Sequence, residues 1–407
     1  MVLRRMAMAG LTTLAILIPC GAASPQAGPP PARLVAVGDV HGDLESFKAI
    51  LRQAGIIDAS TQWSGGSATF VQTGDYLDRG FAIRDVLDLL MALERAAPAA
   101  GGRAVVLLGN HEAMNLVSDL RDVSPKAFAS FADTDSEGRR KRAFRDHRDW
   151  ARKVRERYLK AHPDATGVPV LYGVPDETAW MTAHPPGWLE YVEAMGPESR
   201  YGRWLRDRRP SVQIDGTIFL HGGLDPAVVP DSVDAINETV GRSVSAFDQA
   251  KAALVKQGLA VPWLTVQELV AAAVLGSELV AAEQSGDRPE TARPASFDGV
   301  AKIGESWLLA PEGPLWFRGF AQWSDEQGLA SMPPLLQRFG ARRVVVGHTV
   351  LATHRITPRF DSRVVLIDTG MNTAFFKEGR ASALEIAGDS LTAIYAEGRE
   401  TLTGTAR

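Results

Sequence analysis

The sequence predicts an α/β fold: a mostly parallel sheet covered by helices, a second sheet of short strands, and helical insertions that cap the core. Three observations carry this prediction. Short β-branched runs alternate with amphipathic helical segments in the first part of the chain. Each of those runs ends in a glycine-bounded polar loop, and two long stretches with helical spacing interrupt the alternation.

The alternation begins at residues 33–37 (RLVAV), stopped by Gly38 and followed by a helical pattern over 43–54 through Leu44, Phe47, Ile50 and Leu51. It recurs as a strand at 68–72 with a helix at 83–96, then as a strand at 103–108 with a helix opening near Glu112. Further on, residues 217–220 (TIFL) run into His221, and 342–346 (RRVVV) run into Gly347 and His348. Residues 353–356, 363–367, 383–386 and 391–395 read as short strands paired antiparallel in a second sheet. The stretch from about 115 to 215 is rich in Arg, Asp and Trp and reads as an inserted cap with one long helix. The stretch from about 232 to 304 reads as Ala- and Val-rich helices plus a polar loop near 283–293.

The ends of the chain are different in kind. Arg4 and Arg5 precede an apolar run over residues 6–18 and the small residues 21–23, the pattern of a signal peptide cleaved after Ala23. The run is shorter than the roughly 20 residues that span a bilayer. Residues 24–32 form a Pro-rich tether, and a single catalytic domain with two insertions is expected over 33–400. Cys20 is the sole cysteine, so the mature chain has no disulfide and no Cys-based zinc site or nucleophile. With 44 Lys+Arg against 48 Asp+Glu there is no polycationic footprint, which argues against nucleic acid as a main partner. Contact with a membrane is expected only through the export signal.

The chemistry is concentrated in the loops GDVHG (38–42), GDYLDRG (74–80) and GNHE (109–112), with His221 and His348 after the two later strands. Ligands bind at the carboxyl ends of strands in open α/β sheets, so these loops can meet at one point. Together they supply Asp39, His41, Asp75, Asn110, His221 and His348. Hard oxygens mixed with imidazoles suit manganese, iron or zinc rather than a calcium cage, with manganese favoured. Six ligands exceed one tetrahedral site, so two divalent ions sharing the Asp75 carboxylate are the economical arrangement. His111, beside a ligand but not needed as one, is a general-acid candidate that Asp78 can orient. Arg79 can grip phosphate oxygens with its fork.

The ordered set GDVHG, GDYLDRG, GNHE, IFLHGGLDP (218–226) and VVVGHT (344–349) resembles the signature of the phosphoprotein phosphatase superfamily of metallophosphoesterases. GNHEAMN (109–115), GPLWFRGF (313–320) and IDTGMN (367–372) resemble its Shewanella-like branch. The resemblance implies a β-sandwich core flanked by helices. It also implies that Asp39, His41 and Asp75 hold one metal and Asp75, Asn110, His221 and His348 the other, with Arg318 as a second phosphate-binding arginine. Calcineurin-like diesterases carry a second His two positions after the last one, and here that position is Val350, which favours phosphomonoesters. The implied activity is hydrolysis of phosphorylated protein or a small phosphomonoester, in the periplasm or outside the cell for a bacterial source. A nucleotide or dinucleotide polyphosphate hydrolase, or a phosphodiesterase, is the alternative on the same core. His147, His162 and His184 are expected at surface or capping positions, and His354 in a structural one.

Overall fold

The computed structural model describes residues 33–284 and 295–402; the proposed signal segment with Cys20, the tether, and most of the polar loop at 283–293 lie outside them. The first sheet has the order β11-β10-β9-β1-β2-β3. In it β1 (Arg33–Val37), β2 (Thr69–Gln72) and β3 (Arg103–Val106) are parallel, and β9 (Ser382–Ala387) runs antiparallel beside β1, followed by β10 (Ser390–Tyr395) and β11 (Gly398–Thr401). The second sheet has the order β4-β5-β6-β8-β7. Its centre is parallel, β5 (Thr217–Leu220), β6 (Arg343–Val346) and β8 (Val364–Leu366), with β4 (Ser211–Ile214) and β7 (Thr357–Arg359) antiparallel at the edges.

Period-two alternation explains why the sheets stack. Leu34 and Ala36 of β1, Val71 of β2, Phe219 of β5, Val345 of β6 and Val365 of β8 all enter one buried cluster between the sheets. Val35 and Val37 point the other way into the core under α1 (Leu44–Gln53) and α2 (Ile83–Ala96). Ile218, Leu220, Val344, Val346, Val364 and Leu366 point outward into a third cluster. Strands buried on both faces need apolar residues at consecutive positions, which is why these runs read as continuous rather than alternating.

The strands after His348 differ from the expectation in partner and position. The residues at 383–386 and 391–395 do not build a separate antiparallel sheet; they extend the first sheet from β1, because strand partners are fixed by packing far apart in sequence. Residues 353–356 form a turn with His354 at φ 49°, and the strand follows as β7.

The helices α3 (Asn110–Leu116), α4 (Pro125–Phe131), α5 (Ser136–Ala161), α6 (Glu177–Ala183), α7 (Trp188–Met195) and α8 (Arg200–Arg206) follow β3. The last residues of the stretch expected as a cap, 211–214, are β4 of the second sheet. The second helical stretch holds α9 (Val233–Lys256), α10 (Val266–Gln284) and the short α11 (Asp298–Ala301); α12 (Gly319–Gln322) and α13 (Asp325–Phe339) precede β6. Phe144, Trp150, Tyr191, Phe247 and Leu269 from these helices join the same apolar core as Phe47 and Leu90 of α1 and α2, so both insertions pack on the outer face of the first sheet. Among the described residues no helix is long and apolar enough to cross a membrane.

Candidate active site

Five loops from both sheets bring their polar residues to one buried place. Asp39 and His41 follow β1, Asp75, Asp78 and Arg79 follow β2, Asn110 and His111 open α3, His221 follows β5, and His348 follows β6. His41, Asp75, Asp78, Arg79 and His348 all have positive φ, between 46° and 67°. Each such residue costs on the order of 1 kcal/mol, which the surrounding packing must offset. Gly74 and Gly109 let two loops touch: a Cβ on Gly74 would lie 2.5 Å from the Gly109 backbone, and one on Gly109 would lie 2.3 Å from the Asp75 nitrogen.

Asp75 is the hub. Its Oδ2 lies 3.7 Å from His41 Nε2, 3.8 Å from His111 Nε2 and 3.2 Å from His221 Nε2. Its Oδ1 accepts the His111 backbone N–H at 2.9 Å, and Asp39 Oδ1 likewise accepts the His348 N–H at 3.0 Å. Each carboxylate thus has one oxygen fixed by backbone and one turned to the centre. The three histidines are fixed the same way. His41 Nδ1 donates to Leu77 O at 3.0 Å, His221 Nδ1 to Thr73 O at 3.1 Å, and His348 Nε2 to Trp316 O at 3.1 Å, so the other nitrogen of each ring carries a lone pair.

The lone pair of His41 meets the Arg79 guanidinium, whereas those of His221 and His348 face other acceptors. His221 Nε2 lies 2.8 Å from Asn110 Oδ1 and 3.1 Å from His348 Nδ1. Acceptors this close repel one another unless a cation sits among them, so the donor set fits a metal. Two buried triads, His41–Asp75–His111 and Asp75–His221–His348, have ligand atoms near enough for one ion each. Burial holds the His41 and His348 imidazoles well below the ordinary histidine range, hence neutral and able to ligate. Burial alone would raise Asp75, but the imidazoles of His221, His111 and His41 hold it well below the usual carboxylate range. Burial, and then the carboxylates of Asp368 and Asp75, push Asp39 up, a crowding of negative charge that a cation would relieve.

His111 is a different case, because its Nδ1 bonds a carboxylate rather than a carbonyl: Asp78 Oδ2, at 2.7 Å. Burial works against its protonation, yet Asp75 and the Asp78 hydrogen bond outweigh it and push the imidazole up to about 9. Asn115 Nδ2 donates to Asp78 Oδ1 at 2.8 Å, and the Tyr191 hydroxyl donates to Asn115 Oδ1 at 2.7 Å, which fixes the dyad from behind. Arg79 reaches His41 Nε2 at 2.7 Å and His111 Nε2 at 3.1 Å with its two terminal nitrogens, its guanidinium lying 4.5 Å over the Phe375 ring. Arg318 donates to His348 O and Thr349 Oγ1, both at 3.0 Å, which sets it beside the last loop, within electrostatic reach of Asp39, Asp75 and Arg79.

Sequence reasoning assigned no role to Glu112, although it ties the second and third loops together. Its carboxylate accepts the N–H groups of Asp75, Tyr76, Leu77 and Gly109 at 2.7–2.9 Å. Asp368, also unassigned, lies buried against Asp39 after β8 and repeats the strand-then-Asp pattern of the other loops. His162 and His184 end α5 and α6, each bonding a carbonyl one turn back. His147 is not on the surface: it is buried in the cap, with the Trp180 indole N–H on its Nδ1 at 3.3 Å, because α5 turns that face inward. His354 bonds Thr369 O at 3.2 Å, and Phe317 packs on Phe320 and Trp323.

A two-sheet sandwich whose strand ends converge on clustered histidines and carboxylates defines a metal-binding α/β protein. The family profile of the calcineurin-like phosphoesterases matches residues 32–242, just over half of the chain. The chain belongs to that family. Shewanella-like protein phosphatase 2 of Arabidopsis thaliana is 32% identical over 58% of this chain, which spans 58% of that protein's length. Shewanella-like protein phosphatase 1 of Plasmodium berghei is 22% identical over 84% of this chain and 67% of its own. The crystal structure of a cold-active protein-tyrosine phosphatase of a psychrophilic Shewanella shares the fold, with a TM-score of 0.56 and 22% identity over 92% of this chain and 81% of that one.

Proposed function

We propose that this protein is a two-metal phosphomonoester hydrolase acting on phosphorylated proteins. The observation that carries the proposal is the set of three histidines whose outer nitrogens are bonded to backbone carbonyls while their lone pairs crowd around Asp75 and Asn110. Asp39, His41 and Asp75 would hold one divalent ion, and Asp75, Asn110, His221 and His348 the other, with manganese the first choice and iron or zinc the alternatives. Such ions supply Lewis acidity toward the phosphoryl oxygens and lower the pKa of water.

The chain's own residues do the rest. Arg79 binds two phosphate oxygens through its fork and sets the ester in line with the incoming water, and Arg318 adds positive charge on the side of His348. As water's oxygen bonds to phosphorus and the phosphorus–oxygen ester bond breaks, His111 gives its Nε2 proton to the leaving oxygen, and Asp78 stabilises the ring in the protonated form that starts the step. Relatives of this chain are named protein phosphatases and one structural neighbour a protein-tyrosine phosphatase, which supports a phosphoprotein substrate. The proposal extends to export through residues 1–23, checked by N-terminal sequencing of the mature protein.

The test is steady-state hydrolysis of p-nitrophenyl phosphate and its bis-ester by metal-stripped protein, with and without manganese, beside His111→Asn. Manganese-dependent cleavage of the monoester is expected. The variant should lose roughly 10²–10⁴-fold on phosphoserine peptide, where the leaving oxygen needs a proton, and far less on p-nitrophenyl phosphate. Preference for the bis-ester would replace the proposal with a diesterase, and equal rates on phosphoserine would remove His111 as the acid.

A further inference from the structure

Behind the metal centre lies a second feature that the proposed reaction does not use. A cavity of about 870 Å³ opens at the C-terminal end of α3, between α7 and α9. That volume is within the range of small-molecule sites. His111 stands at the start of α3 and Asn115 near its end, about 6 Å further along the axis, and Asn115 touches both Asp78 and the cavity.

Leu116, Leu120, Leu189, Val192, Met195 and Val255 give the cavity apolar wall, and charged residues that include Asp146 and Glu193 also line it. Among the described residues, the cation on this cavity that is held by burial rather than by an acidic side chain is Lys251. Lys251, on α9, hydrogen-bonds only the neutral hydroxyl of Ser118, at 2.9 Å. The acid nearest in sequence, Asp248, has both oxygens taken by Arg206, at 2.7 and 2.9 Å. Burial pushes the Lys251 ammonium down to about 8, with Asp248 only partly opposing it. A desolvated ammonium with spare N–H donors is stabilised by an incoming anion.

We propose that this cavity binds a single-chain amphiphile with an acidic head group, the chain lying along the α7 and α9 side chains and the head on the Lys251 ammonium. The head can be a carboxylate, as in a free fatty acid, or a phosphate, as in a single-chain phospholipid.

The proposal is tested by calorimetric titration of the full-length, manganese-loaded protein with decanoate, with decylphosphonate, which no phosphatase can cleave at its carbon–phosphorus bond, and with decyltrimethylammonium. All are kept below their micelle concentrations. One molecule of decanoate or decylphosphonate per chain is expected, and whichever binds more tightly identifies the head-group class; the cationic amphiphile should bind at least tenfold more weakly. Lys251→Met keeps the apolar stem and should weaken both acids at least tenfold. Ala252→Trp, at an exposed position on the cavity's rim, should abolish binding by filling it. Both residues lie outside the metal centre, so loss in either variant separates the cavity from head-group binding at the metals. Unchanged affinity in Lys251→Met, equal binding of the cationic amphiphile, or no binding of either acid overturns the proposal.

Discussion

Replacing Glu112 by Gln changes one oxygen to an NH₂ group and should damage the metal centre without touching a ligand. The Glu112 carboxylate accepts four backbone N–H groups, from Asp75, Tyr76, Leu77 and Gly109. A glutamine side chain has one acceptor oxygen, which can keep the pair on one side, and a donor NH₂ that must face the pair on the other. Two buried N–H groups then lose their partner, at about 1–3 kcal/mol each, so the local cost is roughly 2–6 kcal/mol. These N–H groups belong to the residues that hold Asp75 at its positive φ and to Gly109, the residue before the proposed ligand Asn110, so the cost falls on the geometry of the proposed ligands.

Metal should make the effect larger. In the metal-free protein, burial and the Asp75 charge push Glu112 up to about 8, against the pull of its N–H donors. Each of its oxygens faces two N–H donors, so a proton on either would meet the same conflict as the glutamine NH₂ group. A cation on Asp75 removes the second cause, and the parent then gains a full carboxylate that the variant lacks. Linkage turns the difference into affinity: at the low end, 2 kcal/mol, manganese should bind roughly 30-fold more weakly. The assay is manganese titration by calorimetry at pH 6 and 7.5, with thermal unfolding at saturating metal. An affinity within threefold of the parent at both pH values, with an unchanged melting temperature, would refute the account of Glu112 as the tie between the loops.

Three further outcomes follow from the same geometry. Asp75→Asn should lose both proposed ions and several kcal/mol of transition-state stabilisation, because its Oδ2 faces His41 and His221, one from each proposed ligand set; metal analysis showing two ions bound would sink the bridging role. Asp78→Asn removes one cause of the raised His111 pKa, so the alkaline limb of the kcat profile should move to lower pH. The stability that protonated His111 contributes, fully present below about 6.5 and lost as pH rises through about 9 in the metal-free protein, should fade earlier. An unmoved limb and stability profile would detach Asp78 from His111. Lys251, with its pKa lowered from 10.5 to about 8, carries its cost in full below pH 8 and sheds it as pH rises to 10.5, so stability should increase over that window by up to about 3 kcal/mol. Denaturant unfolding between pH 8 and 10 reads this before the buried tyrosines begin to ionise, and Lys251→Met should flatten the slope.

How much of this was legible in the sequence depended on how local each signal was. A β-branched run, a glycine, an aspartate and a second glycine report a strand and its loop within ten residues, so the five loops, the convergence of Asp39, His41, Asp75, Asn110, His221 and His348 as candidate ligands, and their order along the chain could be read directly. The partners of the late strands could not. Residues 383–386 look the same whether they pair with each other's neighbours or with Leu34, and only the packing of Leu384 and Ile386 beneath the second sheet decides for β1. Glu112 was partly legible: a glutamate three residues after the residue preceding a helix is the capping-box position, and its N–H partner Gly109 fits that spacing. Asp368 was legible by analogy, since it follows a strand and precedes a glycine by two as other loop residues do. Asn115 and Tyr191 were not, because the bond between them spans 76 residues and exists only once α7 folds back on α3. The cavity next to Asn115 has the same origin, assembled from α3, α5, α7 and α9, none of which signals it alone. Functional residues held by their own loop announce themselves in sequence, and those held by the meeting of two helices must be read from the fold.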